Sequence, residues 1–200
     1  MTMDEQALIA AAQHGELSAF NQLVLHYQGL AYDVAYRVLN DADAAADATQ
    51  DSFIKAFRKI QQYRGGSFKA WLLRIVTNTC YDQLRARARR PSDSLDDLVT
   101  SPEHSYKLIN GGETPEAHAL RQELSTLLQS GIETLPYDQR IVLVLSDIEG
   151  LSYQEIADAT GLRLGTVKSR LSRARAKLRD YLLARQELLP SQYRLRDMSG

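Results

Sequence analysis

The run from Leu151 to Leu178 restricts the possible folds more than any other part of the chain, because it has the pattern of a helix–turn–helix. Ala157 is small where two helices must approach closely, and Gly161, four residues later, suits a tight turn that needs a positive φ. After the turn, apolar residues recur at helical spacing: Val167, Leu171, Ala174 and Leu178. The opposite side is polar and basic, which predicts a helix that presents cations to DNA. An ordinary solvated basic face is the alternative.

Charge is arranged in blocks along the chain, although the net charge is only −1. Residues 1–51 carry one cation and eight acids, whereas residues 52–90 carry ten cations and one acid. Residues 91–162 carry three cations and thirteen acids, and residues 163–185 carry eight cations and one acid. Two concentrated basic blocks separated by an acidic stretch predict two DNA-contacting modules on one chain.

The predicted fold is all-α, because the patterned segments show the helical period and none shows sustained strand alternation. Two helical domains are expected, at residues 1–90 and 118–185, with the helix–turn–helix in the second. A flexible acidic linker at residues 91–117, rich in Pro, Ser, Asp and Gly, joins them, and residues 186–200 form a tail. The apolar spacing predicts helices over residues 4–14, 16–40, 41–62, 68–87, 116–132 and 136–148, with Asp41 or Asp43 as a cap.

Composition excludes several classes of protein. An apolar content of 44% is enough for real cores, and a single cysteine, Cys80, excludes a disulfide framework and suits a reducing cytoplasm. No apolar run reaches the ~18–20 residues of a membrane span, and the N-terminus lacks a signal-peptide pattern. The sequence therefore predicts a cytoplasmic protein without membrane insertion.

Motifs in both predicted domains occur in the order typical of one protein family. In the C-terminal domain they are Leu135-Pro136, Glu149-Gly150-Leu-Ser152 and Gly165-Thr-Val-Lys-Ser-Arg-Leu171. In the N-terminal domain they are Asp47-x-x-Gln50-Asp51-x-Phe53, Tyr63-Arg64-Gly65 and Trp71-Leu-x-Arg74-Ile75. On these motifs the chain resembles the extracytoplasmic-function sigma factors, the smallest bacterial factors of the sigma-70 type, over roughly residues 5–90 and 118–183.

The resemblance implies a chain that binds core RNA polymerase and directs promoter-specific transcription initiation in a stress response. It implies an N-terminal domain that binds the polymerase clamp helices and reads the minus-10 promoter element as a single strand. The C-terminal domain is expected to bind the polymerase flap and to read the minus-35 element as duplex DNA. The linker is expected to occupy the RNA path, either as an acidic mimic of RNA or as a plain solvated tether. An anti-sigma factor is the further partner that the resemblance implies.

Candidate polymerase-binding residues lie on one face of the third predicted helix. Asp47, Gln50 and Asp51 are spaced at i, i+3 and i+4, which suits hydrogen bonds to an Arg-rich coiled coil. An ordinary solvated face is the alternative for these three residues.

Candidate minus-10 residues follow the Gly-Gly loop and the next helix. They are Arg64, Gly65, Ser67, Phe68, Arg74, Asn78 and Arg85. The glycines would let the backbone approach a flipped base, Asn78 would bond a base edge, and the arginines, with Arg87, would contact phosphates. For Asn78 a structural amide is the alternative. Phe68 and Trp71 are candidate stacking platforms, although core packing is favoured for Trp71.

Candidate minus-35 residues cluster on the predicted recognition helix. They are Arg163, Thr166, Lys168, Ser169, Arg170, Ser172 and Arg173. By the resemblance, Lys168, Ser169, Ser172 and Arg173 face the bases, whereas Arg163, Thr166, Arg170 and Arg175 contact phosphates.

Two rival functions are the alternatives to this interpretation. A stand-alone helix–turn–helix regulator would use the N-terminal domain to sense a ligand or to dimerise, but it does not predict the second basic block. An enzyme is disfavoured, since the four histidines are scattered, Cys80 has no partner at metal-ligand or dyad spacing, and no phosphate-binding loop occurs. The sequence therefore predicts no cofactor, no metal and no catalytic residue.

Overall fold

The computed structural model describes residues 4–89 and 114–188, and these contain helices and no β-strand. The main helices are α1 (Glu5–Gln13), α2 (Leu17–Leu39), α3 (Ala42–Lys59), α4 (Phe68–Arg89), α5 (Pro115–Glu133), α6 (Tyr137–Leu143), α7 (Tyr153–Thr160) and α8 (Leu164–Leu183). Short 3₁₀ turns at Ile60–Gln62 and Gln186–Leu188 and a π-helical turn at Val144–Ile148 complete them. The all-α prediction is confirmed. No described helix is long and apolar enough to cross a membrane.

The predicted domain boundaries stay predictions, because most of the linker and the tail lies outside the described residues. Helix α5 starts at Pro115, three residues before the predicted domain start at residue 118, and Thr114 caps it. The structure does not describe residues 90–113, which include linker residues 91–113. In the predicted tail, residues 189–200 are likewise outside the described part.

Helix α2 is the centre of the N-terminal half, where it packs against α1, α3 and α4. Its inward face is buried along its length, as at Leu23 and Val34. The helix ends at Asn40, which adopts the left-handed conformation at φ 52°. The Asp41 carboxylate then accepts a hydrogen bond from the Ala44 backbone N–H at 2.9 Å, so α3 begins at once. Of the two caps that the sequence predicted, Asp41 and Asp43, the structure has Asp41.

The helix–turn–helix consists of α7 and α8. Helix α7 starts with a capping box, in which the Ser152 and Glu155 side chains each accept a hydrogen bond from the backbone N–H of the other residue. It ends at Gly161, which has φ 71° and therefore makes the turn that the sequence predicted. Helix α8 starts at Leu164, three residues later.

The two halves of the chain also pack against each other, which no sequence pattern indicated. Helix α4 lies against α7, and α2 contacts α5 and α6, so that one hydrophobic core continues through both halves. The Tyr137 hydroxyl donates a hydrogen bond to the Thr77 carbonyl at 2.8 Å. Lys69 Nζ lies 3.3 Å from the Glu149 carboxylate. We call this packing of the two halves the closed arrangement.

Arg140 joins α6 to the end of α2. Its Nη1 donates to the Val38 carbonyl at 2.6 Å, and its Nη2 donates to the carbonyls of Glu133 at 2.6 Å and Leu135 at 3.2 Å. A cation at the C-terminal end of α2 also interacts favourably with the helix dipole. Arg140 therefore stabilises both the α5–α6 corner and the closed arrangement.

The helix–turn–helix turn predicts opposite effects for two neighbouring glycine substitutions. Gly161→Ala should lower the free energy of unfolding by about 1–2 kcal/mol, because an L-residue is strained at positive φ. A Cβ at Gly161 or at Gly165 meets no atom within 4 Å, so steric clash does not contribute. Gly165 lies inside α8, where Gly165→Ala should raise stability by about 0.5–1 kcal/mol. Urea unfolding followed by circular dichroism measures both changes, and equal effects of the two substitutions would contradict the assigned turn.

Candidate nucleic-acid interface

The outer face of α8 carries the predicted duplex-reading side chains. All four predicted base-facing residues are exposed: Lys168, Ser169, Ser172 and Arg173. The residues on the inner face are at most 1% exposed: Val167, Leu171 and Ala174. This helix is therefore two-sided, as the sequence predicted, and its outer face is free to enter a major groove.

Two arginines of α8 are paired with carboxylates on the preceding elements. Arg175 makes a bidentate pair with Asp147, with Nε–Oδ2 at 2.9 Å and Nη2–Oδ1 at 2.6 Å. These hydrogen bonds hold the pKa of the Asp147 carboxyl below its usual value. Arg170 Nε lies 3.1 Å from Asp138 Oδ2. The carboxylates thus fix the directions of Arg170 and Arg175 before any DNA is bound.

Arg163 and Thr166 lie at the start of α8. Arg163 is exposed, and its carbonyl accepts hydrogen bonds from the backbone N–H groups of Thr166 at 2.8 Å and Val167 at 3.1 Å. Thr166 is half-buried. An exposed guanidinium beside a helix N-terminus suits a phosphate better than a base edge.

The Gly65–Gly66 loop is held in shape by its neighbours. Both glycines have positive φ, 95° and 92°, and the Tyr63 hydroxyl donates to the Gly66 carbonyl at 2.7 Å. Ser67 then caps α4, since its hydroxyl accepts from the Ala70 backbone N–H at 3.1 Å. Arg64 is exposed, and its Nη1 donates to the Gln61 carbonyl at 3.1 Å. The loop therefore presents backbone and small side chains on a fixed support.

Phe68 does not offer its ring to a base in this structure, which corrects the prediction of a stacking platform. It is 1% exposed and packs against the rings of Tyr27, Tyr63 and Trp71 at centroid distances of 5.4, 5.7 and 5.4 Å. The sequence did not show that three aromatic residues converge on this position. Trp71 is half-buried against the same core, in agreement with the favoured core role.

Three of the predicted minus-10 residues of α4 share one exposed strip. Arg74, Asn78 and Arg85 are all exposed, and their spacing of i, i+4 and i+11 places them on one face of the helix. Tyr81, at i+7, lies on the same strip and is 45% exposed. Tyr81 was not among the residues predicted from the sequence, although helical spacing from Arg74 points to it.

Cys80 lies on the buried side of α4. It is fully buried, and burial raises the pKa of its thiol to about 12, so the thiol stays protonated at neutral pH. The prediction that Cys80 is a small buried helix residue is confirmed. In the described part of the chain, no group of His, Cys, Asp and Glu side chains is placed to hold a metal ion.

The outer face of α3 is acidic and partly apolar. Asp47, Gln50 and Asp51 are exposed together, as their spacing predicted. Ile54 and Phe57 continue this face and are 44% and 40% exposed. Neither residue was predicted from the sequence, although each follows Gln50 at helical spacing.

Comparison with known proteins identifies the family. The N-terminal half matches the model of sigma-70 region 2 over residues 23–90, and the C-terminal half matches that of sigma-70 region 4 over residues 125–178. The chain is 41% identical over 176 residues to RNA polymerase sigma-H factor of Pseudomonas aeruginosa, covering 86% of this chain and 90% of that protein. It is 37% identical over 177 residues to the ECF RNA polymerase sigma-E factor of Haemophilus influenzae, covering 86% and 92%. The chain belongs to the extracytoplasmic-function sigma factors.

A solved structure of a related sigma factor has a similar fold. It is the sigma factor RpoE in complex with the anti-sigma factor NepR from Bartonella quintana, with a TM-score of 0.65 and 29% identity, covering 83% of this chain and 98% of that one. These likenesses confirm the predicted function: this sigma factor acts in promoter-specific transcription initiation through RNA polymerase. They favour it over the stand-alone regulator. The roles of the individual side chains stay predictions.

Proposed function

We propose that this sigma factor works through three separate surfaces: the acidic face of α3, the exposed strip of α4 and the outer face of α8. The observation that supports this assignment best is their chemistry. One face carries carboxylates and exposed apolar side chains, and two carry exposed arginines with neutral hydrogen-bonding side chains. A protein partner with basic side chains suits the first, and DNA suits the other two.

The α3 face binds core RNA polymerase. Asp47 and Asp51 supply charge, Gln50 supplies an amide, and Ile54 and Phe57 supply apolar area next to them. Exposed apolar side chains beside carboxylates suit a permanent protein contact better than a solvated face, because they gain free energy when water is excluded.

Charge reversal on α3 tests this surface. Asp51→Arg should weaken binding of core polymerase at least about tenfold, because it places a cation against a basic partner and leaves the buried face of α3 untouched. Asp158→Arg is the matched control, since Asp158 is also an exposed helical acid but lies on α7. Affinity is measured by fluorescence anisotropy with core enzyme, together with run-off transcription from genomic promoter fragments. Equal affinities of the two variants would remove Asp51 from the surface.

The α4 strip and the Gly65–Gly66 loop read the melted minus-10 strand. The Asn78 amide offers both a donor and an acceptor to a base edge, while Arg64, Arg74 and Arg85 contact phosphates. Ser67 and the loop backbone approach the extruded base. Phe68 supports the loop from inside the core instead of stacking on the base.

The outer face of α8 reads the minus-35 duplex. Arg173 is exposed and is not held by an ion pair within the described part of the chain, so it is available for a guanine edge. Lys168, Ser169 and Ser172 contact neighbouring bases. Around these four, the residues that contact phosphates are Arg163, Thr166, Arg170 and Arg175, of which Arg170 and Arg175 are already oriented by their carboxylates.

Two arginine substitutions on α8 should separate base reading from phosphate binding. Arg173→Ala should relax sequence preference at one minus-35 position by about 1–3 kcal/mol. Arg175→Ala should weaken binding to all sequences about equally and lower the slope of log affinity against log salt by about one. Binding of the polymerase complex to a set of single-base promoter variants, at two salt concentrations, measures both. The same uniform loss for both variants would contradict the division of α8 into two roles.

The remaining partners follow from the same assignment. An anti-sigma factor binds this chain, as one binds the related factor from Bartonella quintana. The chain acts in the cytoplasm, where promoter DNA and polymerase are found. It performs no chemical step itself, because polymerase makes the RNA.

A further inference from the structure

The exposed strip of α4 contains one aromatic ring. Tyr81 lies between Asn78 and Arg85, on the face that the proposed function assigns to the minus-10 strand. The ring is 45% exposed, whereas Phe68 at the start of the same helix is 1% exposed. The Arg85 guanidinium carbon lies 5.6 Å from the Tyr81 ring centroid, close enough for a cation–π contact.

This position suits a stacking residue better than a core residue. Proteins that read single strands combine cations along the backbone with aromatic rings on which bases stack. Here the cations are Arg74 and Arg85, the base-edge amide is Asn78, and Tyr81 is the ring on the same strip.

A ring from the other half of the chain already packs against Tyr81. The Tyr137 ring lies 5.2 Å from it between centroids, at an interplanar angle of 37°. Tyr137 is held there by the hydrogen bond from its hydroxyl to the Thr77 carbonyl at 2.8 Å. Tyr137 lies in the C-terminal half and Tyr81 in the N-terminal half, so this contact exists only in the closed arrangement.

We propose that Tyr81 stacks on a base of the melted minus-10 strand, and that Tyr137 takes the place of that base in the closed arrangement. The proposal rests on the proposed function, since it adds a residue to the minus-10 surface. Tyr81 is then a DNA-contacting residue, and Tyr137 is an internal competitor that blocks it until the halves separate.

The promoter geometry requires that separation. The two elements are centred about 25 base pairs apart, which is about 85 Å at 3.4 Å per base pair. Helices α4 and α7 are in direct contact in the closed arrangement. The 24 residues 90–113 between the halves can span at most about 80 Å. The sizes of the two halves add to this reach, so the chain is long enough to open. It cannot read both elements while closed.

Substitutions at the two tyrosines should have opposite effects on binding to a melted strand. The probe is a promoter fragment that supports run-off transcription, pre-opened at its minus-10 element, with 2-aminopurine at each adenine position of the non-template strand in turn. With core polymerase bound, Tyr81→Leu should weaken binding about tenfold and restore 2-aminopurine fluorescence at one position, whereas Tyr81→Phe should retain affinity and quenching.

The free chain is assayed with the labelled non-template strand alone. Tyr137→Leu should tighten this binding about fivefold, because it removes the competing ring and its hydrogen bond. It should have no effect once polymerase holds the chain open. Tyr137→Phe keeps the ring and loses only the hydroxyl, so it should give a smaller gain and serves if Tyr137→Leu lowers helical content.

Each result supports or overturns one part of the proposal, either stacking by Tyr81 or competition by Tyr137. Unchanged affinity and fluorescence for Tyr81→Leu in the polymerase complex would overturn stacking. No gain in the free chain for either Tyr137 variant would overturn competition. Core polymerase affinity is measured separately for each variant, so failure to form the complex would instead count against the proposed polymerase-binding surface.

Discussion

Helix α4 must be covered on two sides, and the arrangement of the whole molecule depends on this. The residues of α4 that are at most 8% exposed are Phe68, Ala70, Leu72, Leu73, Ile75, Val76, Thr77, Thr79 and Cys80. These positions, which are apolar except for Thr77 and Thr79, surround most of the helix, so one packed face cannot bury them all. Helices α2 and α3 cover one side and α7 covers another. The strip with Arg74, Asn78, Tyr81 and Arg85 is exposed, with the Tyr137 ring against Tyr81. The same constraint therefore closes the chain and leaves this strip as the surface that we propose for DNA.

Surface charge also differs between the face that we propose for polymerase and the faces that we propose for DNA. Carboxylates on α3 face outward with apolar neighbours, whereas Asp138 and Asp147 are used inside the C-terminal half to orient Arg170 and Arg175. Acids therefore occur in two settings: we propose that the exposed ones on α3 attract a basic protein, and the others orient arginines that we propose contact phosphates. The near-zero net charge of the chain follows from these opposed surfaces and says little about either one.

Much of the fold followed from local patterns. Gly161, Asp41 and the apolar stripe of α8 predicted a turn, a cap and a two-sided helix because each depends only on residues within a few positions. The exposed faces of α3 and α8 were found for the same reason. Tyr81 follows Arg74 at helical spacing and was therefore predictable in the same way, but it was not predicted.

The contacts between distant residues were not predictable in this way. Phe68 is buried by rings from α2 and from the loop before α4, and Arg175 meets a carboxylate 28 residues earlier. The closed arrangement depends on side chains such as Arg140 and Tyr137 that bond to backbone carbonyls of the other half. Any residue supplies such a carbonyl, so no sequence pattern marks the acceptor.

Single-molecule energy transfer between the two halves tests the closed arrangement most directly. Dyes are placed on the full chain at Leu25→Cys and Asp158→Cys, both on exposed positions of α2 and α7, while the buried, protonated Cys80 thiol reacts slowly. High transfer in the free chain and low transfer when core polymerase and promoter DNA are bound is the predicted result. Low transfer in the free chain, or high transfer in the complete complex, would contradict the account.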